Sequence, residues 1–142
     1  MSNILLVSAT KLEHHETELD GIPIHIIGIG KVEAALNTYK LIQKYKPDHV
    51  VNFGSCGNLG NTEIGQVLEI GEVYDDFYGC VVPEHLPIKT SNSVYRLFTT
   101  DSFYDSSAVY SNKYTECINK CDVVDMEGYS IAKVCESENI SL

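Results

Sequence analysis

Hydrophobic positions along the 142-residue chain follow two alternating patterns. Short apolar runs rich in β-branched residues lie at Asn3–Ser8 (NILLVS), Ile22–Ile27 (IPIHII) and Asp48–Phe53 (DHVVNF), each bounded by polar or glycine positions, and these predict strands. Between the second and third, Val32, Ala35, Leu36, Tyr39 and Ile42 recur at three- and four-residue intervals. That spacing predicts one amphipathic helix over Lys31–Lys44, closed by Pro47. Further on, Gly65–Val73, Gly79–Val82 and Val94–Thr100 read as strands, Ser111–Asn119 as a short helix and Cys121–Val124 as a strand. Gly128–Ser137 reads as a helix with Ile131, Val134 and Cys135 on one face. Strands alternating with helices predict an α/β fold, with helices on the faces of a mostly parallel sheet and ligands gathered at the carboxyl ends of its strands.

The length suits one compact domain, and a hydrophobic fraction of 44% is ordinary for a globular chain. No apolar run approaches the roughly 20 residues of a membrane helix, and Ile4–Val7 is too short for a signal peptide, so the expectation is a soluble, cytoplasmic protein. A net charge of −10, with Arg96 as the single arginine, argues against nucleic acid or a membrane surface as partner. Cys56, Cys80, Cys117, Cys121 and Cys135 form an odd set without a CxxC pair, which fits reduced thiols better than a disulfide framework. Cys117 and Cys121 stand at i, i+4, but no histidine lies near them in sequence, and the adjacent His14 and His15 would point about 100° apart on a helix. No metal site is expected.

Three segments carry candidate chemistry. Gly28-Ile29-Gly30-Lys31 leaves a predicted strand and opens a helix, where backbone amides and the helix dipole could hold an anion. It lacks the Ser or Thr of a P-loop and the third glycine of a dinucleotide fingerprint, and a simple tight turn would also need its glycines. Asn52–Asn58 (NFGSCGN) is a second glycine turn after a strand, in which Gly54 and Gly57 would let backbone approach a ligand while Ser55 offers a hydroxyl. In Val123–Gly128 (VVDMEG), Asp125 and Glu127 flank Met126 at a strand end. Such carboxylates could bind a sugar diol or could simply cap the following helix.

Gly28–Leu36 (GIGKVEAAL), Val51–Leu59 (VNFGSCGNL), Thr100–Phe103 (TDSF) and Val123–Glu127 (VVDME) resemble, in order and approximate spacing, the purine nucleoside phosphorylase and uridine phosphorylase superfamily. The nearest resemblance is to its hydrolytic branch, the 5′-methylthioadenosine/S-adenosylhomocysteine nucleosidases. It covers nearly the whole chain and implies a three-layer sandwich around a mostly parallel, twisted mixed sheet, with residues 1–142 forming a single domain. The resemblance also implies roles. Glu13, with Glu16 as fallback, would activate the attacking water; Ile29 would lie on the ribose side and Ser55 in the glycine turn. Phe103 would stack on the purine, the backbone of Tyr104 would read its edge, and Met126 and Glu127 would pack on the ribose and bind its hydroxyls. Substrate would be a purine nucleoside, with no cofactor, and the chain would form a homodimer.

Phosphorylases of this superfamily usually carry arginine just before the GSxG turn, where this chain has Asn52, so water is the expected nucleophile and phosphate the alternative. Family members continue into a strand ending in a Ser-Asp pair whose aspartate serves the leaving purine. Glu138–Leu142 matches the start of that strand. The expectation is a fold lacking the last strand and helix, with a sheet edge unpaired, and either an impaired nucleosidase or a non-catalytic nucleoside-binding or assembly protein.

Overall fold

The computed structural model describes residues 2–77, 79–81 and 95–142. Three apolar runs predicted as strands become β1 (Ile4–Ser8), β3 (Ile22–Ile26) and β4 (His49–Asn52), with β1 parallel to both neighbours. A short antiparallel strand, β2 (Glu18–Leu19), joins β3 through Asp20-Gly21, both at positive φ (50° and 79°). Asp-Gly with two left-handed residues is a hairpin-turn signature. Asp20-Gly21 between two short strands is thus a signal already present in the sequence.

The second half repeats the logic. β6 (Ile70–Asp75), β8 (Tyr95–Thr99) and β9 (Val123–Asp125) run parallel, with β7 (Gly79–Val81) and β5 (Gly57–Asn58) antiparallel at the two edges. Hydrogen bonding thus divides the strands into two sheets, ordered β2-β3-β1-β4 and β5-β9-β8-β6-β7. The strand expected over Gly65–Val73 starts only at Ile70: Gly65 sits at φ 84° and Val67 is exposed, so the first half is a turn and coil. Positions 82 and 94 of the expected strands lie outside the described residues.

Helices cover both faces. Along β8 the side chains of Leu97 and Phe98 point to opposite sides, as pleating requires. Leu97, with Val73 and Val123, packs against Tyr129 and Ala132 of α3 (Gly128–Glu138). Phe98, with Val124, packs against Tyr114, Cys117 and Ile118 of α2 (Asn112–Lys120), whose first turn is capped by the Ser111 hydroxyl. A third cluster, Val7, Ile27, Ala34, Ile42, Val50, Ile131 and Cys135, joins the first sheet to α3 and to α1 (Lys31–Tyr45). At Gly128 an added Cβ would lie 2.4 Å from Leu97 Cδ2, so α3 can start this close to β8 only on glycine.

The α1 helix has its expected extent but not its expected face. Ala34, Thr38 and Ile42 are buried, whereas Val32, Leu36 and Tyr39 are exposed at 72%, 51% and 47%. The small Ala34 and Thr38 let α1 approach β1 and α3 closely, and that i, i+4 row wins over the more apolar one. Beyond α3, Asn139 closes the helix in a left-handed conformation. Ser141 then lies parallel to His49 on the outer edge of β4, its carbonyl accepting from Val50 N–H at 2.8 Å. The strand start expected over Glu138–Leu142 is therefore a single bridge at Ser141, because Glu138 and Asn139 still belong to the end of α3, and Leu142 packs against two of the core clusters.

Ile131, fully buried between the first sheet and α1, tests this core. Ile131→Ala is expected to cost about 2–5 kcal/mol in urea unfolding. Val109→Ala, at a fully exposed position, should stay within about 0.5 kcal/mol of the parent.

Candidate active site

The carboxyl ends of β1, β3, β4, β8 and β9 converge on a cleft of about 620 Å³. Glu13, Ile29, Ser55, Phe103, Tyr104, Met126 and Glu127, picked out in the sequence, all line it. Glu16 does not; it is exposed, and its carbonyl oxygen meets His14 Nδ1 at 2.6 Å. Thr10, Leu12, Cys56, Asn58 and Thr100 also line the cleft and were not anticipated. They adjoin the motif residues, and adjacency was the signal available.

Glu13 reaches its place through a 3₁₀ turn (Lys11–Glu13) begun by a capping box at Thr10. Its Oε2 accepts from Ser8 Oγ at 2.9 Å, Ala9 N–H at 3.2 Å and Thr10 N–H at 3.4 Å. Its Oε1 accepts from Ser55 N–H at 2.9 Å and Ser55 Oγ at 3.1 Å. One half-buried carboxylate thus ties the end of β1 to the turn after β4. An added Cβ at Gly54 would lie 2.7 Å from Glu13 Oε1, and one at Gly57 would lie 2.9 Å from Val124 Cγ1. Both glycines admit the protein's own groups, not a ligand's, which corrects the reading of that turn.

The Gly28–Lys31 turn changes meaning in the same way. Gly30 N–H, at the start of α1, donates to Glu127 Oε1 at 2.7 Å. Lys31 Nζ lies 2.6 Å from Asp75 Oδ2 and 3.0 Å from Asp101 Oδ1. The anion at this helix N-terminus is Glu127 itself, held by an otherwise unsatisfied amide and the helix dipole.

The two acids around Met126 divide the roles left open by the sequence. Asp125 accepts from Thr99 Oγ1 and from Gly128 N–H, each at 2.7 Å, so it caps α3. Burial pushes its pKa up to about 6; the Thr99 and Gly128 hydrogen bonds oppose that, and the nearby Glu127 charge adds to it. Glu127 makes no side-chain cap; it spans the cleft wall to Gly30. Its pKa is also raised, first by burial, against hydrogen bonds from Gly30 and Met126 N–H, with Glu13's charge adding to the rise. The two glutamates therefore sense each other across the cleft. Phe103 and Ile29 present apolar surface to it at 85% and 55% exposure.

Among the described residues no lysine or arginine lines the cleft, no group of three or more His, Cys, Asp or Glu could hold a metal, and no helix is long and apolar enough to cross a membrane. Arg96, at the start of β8 and thus at the opposite end of that strand, pairs with Glu72 at 3.0 Å. Cys56, Cys117, Cys121 and Cys135 are free thiols. Burial, with Asp125's charge adding, raises the pKa of Cys56.

Residues 11–92 match the sequence profile of the phosphorylase superfamily. Among curated relatives, the 5′-methylthioadenosine/S-adenosylhomocysteine nucleosidase of Chromohalobacter salexigens is 42% identical over 62 residues, 42% of this chain and 26% of the relative. That of Staphylococcus aureus is 29% identical over 140 residues, 80% of this chain and 61% of the relative. In both cases the chain spans less than two thirds of the relative's length. The nucleosidase of Colwellia psychrerythraea, solved with adenine, superposes with a TM-score of 0.76 at 20% identity over 99% of this chain and 79% of that one. The Neisseria meningitidis enzyme, solved with methylthio-immucillin-A, gives 0.70 at 20% identity over 99% and 82%. At this identity the solved structures establish the shared fold.

Because Asp125 holds its proton more tightly folded than unfolded, its contribution to stability is full below its ordinary pKa of 3.8 and lost as pH rises through about 6. Unfolding free energies of the parent and Asp125→Asn, measured from pH 3.5 to 7.5, should show the parent losing stability relative to the variant across that window. Parallel curves would show that Asp125 does not titrate there.

Proposed function

The chain belongs to the phosphorylase superfamily, and we propose that it hydrolyses the N-glycosidic bond of a purine nucleoside of the 5′-methylthioadenosine or S-adenosylhomocysteine type. The observation that carries this reading is the pair of glutamates, Glu13 and Glu127, fixed by main-chain donors in one cleft with the exposed ring of Phe103. The relatives' names and the adenine and methylthio-immucillin-A held by two solved relatives support the substrate class.

In this scheme the purine stacks on Phe103 and its edge meets the Tyr104 backbone, an apolar platform that costs little conformational entropy. Glu127 accepts hydrogen bonds from the ribose hydroxyls, with Met126 and Ile29 as apolar walls. As the C–N bond lengthens, positive charge grows on the sugar, and two nearby carboxylates stabilise it more than the neutral ground state. Ser55 Oγ can rotate from Glu13 Oε1 toward substrate, freeing that oxygen to take a proton from the attacking water, while the electron pair of the breaking C–N bond leaves with the purine, which takes its proton from solvent. Phosphate is disfavoured as nucleophile because Lys31 is bound to two carboxylates and Arg96 pairs with Glu72 away from the strand ends.

The exposed row Val32, Leu36 and Tyr39 on α1 gives a second copy of the chain an apolar surface to cover, and a homodimer is the assembly we assign. The free thiols suit a reducing cytoplasm.

Incubation with 5′-methylthioadenosine is expected to release adenine, and Glu13→Gln or Glu127→Gln should lower kcat/KM by about 100-fold or more while the fold is retained. Adenine binding in calorimetry without release at high protein concentration would instead identify a nucleoside-binding protein. Separately, Leu36→Asp should move the parent dimer to monomer in sedimentation; a parent that sediments as monomer removes the assembly.

A further inference from the structure

Asp101 directly precedes Ser102-Phe103, and its side chain is 80% exposed. An ion pair at such a carboxylate ordinarily contributes little, because solvent screens it and two flexible side chains must be ordered to make it. Lys31 alters that balance. Its ammonium is anchored 2.6 Å from Asp75, which is 2% exposed and accepts a further hydrogen bond from Phe77 N–H at 2.8 Å. The cation is thus in place before Asp101 meets it at 3.0 Å, and only one side chain remains to be ordered. Burial pulls the Lys31 pKa down, but the hydrogen bonds to Asp75 and Asp101 more than offset this, so the charge persists.

The loop that Asp101 opens needs such an anchor. On one side, Thr100 N–H donates to the Asp125 carbonyl at 2.8 Å. On the other, Tyr104 stacks on Tyr110, with ring centroids 5.8 Å apart, and Tyr110 stacks on Tyr114 at 4.1 Å. Phe103 lies between these ties and is 85% exposed, so its position is set by the backbone that carries it rather than by packing. Lys31 also follows Gly30, whose N–H fixes Glu127.

We infer that Lys31 is a positioning residue which, through Asp101, holds the Phe103 loop in register with Glu127, so that one turn at the start of α1 aligns the base platform with the sugar-binding carboxylate. The catalytic consequence rests on the nucleosidase reading; the structural one does not.

Hydrogen–deuterium exchange of the ligand-free protein tests the structural part. In Asp101→Asn, amides of residues 100–105 should exchange roughly tenfold faster than in the parent, with β1 and β4 unchanged and Tm unaltered. Asp101→Glu, which keeps the charge, should restore slow exchange. Lys31→Met should show the same local acceleration together with a lower Tm, because it strands the buried Asp75 carboxylate. Calorimetry with adenine should show affinity weakened on the order of tenfold in Asp101→Asn, and 5′-methylthioadenosine kinetics should show KM raised with kcat largely kept. Unchanged exchange at residues 100–105 in Asp101→Asn overturns the positioning role, and faster exchange with unchanged adenine affinity overturns its link to the site. A parent that neither binds adenine nor cleaves the nucleoside refutes the nucleosidase reading, while the exchange data still decide whether Lys31 positions the loop.

Discussion

The hydrogen bond from Gly30 N–H to Glu127 is the contact on which the site's geometry depends. Gly30 follows a strand of the first sheet, and Glu127 follows a strand of the second. Among the described residues the two sheets share no strand pairing, so the bond crosses between them. It also solves two local problems together: the first turn of α1 needs an acceptor, and a glutamate that is only 9% exposed needs a donor. Lys31, one residue on, reaches Asp75 at the end of β6 and Asp101 after β8, so the same turn meets the second sheet at three carboxylates.

Placing two glutamates at one cleft is electrostatically unfavourable, and the rise in Glu127's pKa in part records that repulsion. The fold offsets it with main-chain amides, which hold a negative charge without adding a mobile cation. Ala9, Thr10 and Ser55 donate to Glu13, and Gly30 donates to Glu127. A cleft arranged this way holds both carboxylates in fixed orientations and leaves the apolar surfaces of Phe103 and Ile29 open to it. Asp125 stands apart: it lines the same cleft, yet its oxygens are occupied by Thr99 and Gly128.

Much of this was legible in the chain. The β-branched runs before Ser8, Ile26 and Asn52 locate the central strands because a strand buried among neighbours needs little beyond local apolar pattern to be recognised. The seven residues named from motif order all line one cleft for the same reason: each follows a strand, and parallel strands deliver their carboxyl ends to one edge. Periodicity was less informative where two faces competed. In α1 the more apolar row, Val32, Leu36 and Tyr39, is exposed, and the row with small residues is buried.

By itself the sequence determined the α/β alternation and the order of the strands along the chain, which follow from hydrophobic period, and its family resemblance named seven of the residues that line the cleft. Only the tertiary structure decided what each polar group does. Asp125 caps α3 locally, through Gly128 three residues on, but whether Glu127 is held by Gly30, whether Gly54 makes room for a ligand or for Glu13, and whether Lys31 meets an outside anion or Asp75 and Asp101 all depend on partners far away in the chain. Such pairings are set by how the two sheets and α1 come together, and no local pattern encodes a hydrogen bond whose donor and acceptor meet only after that packing is complete.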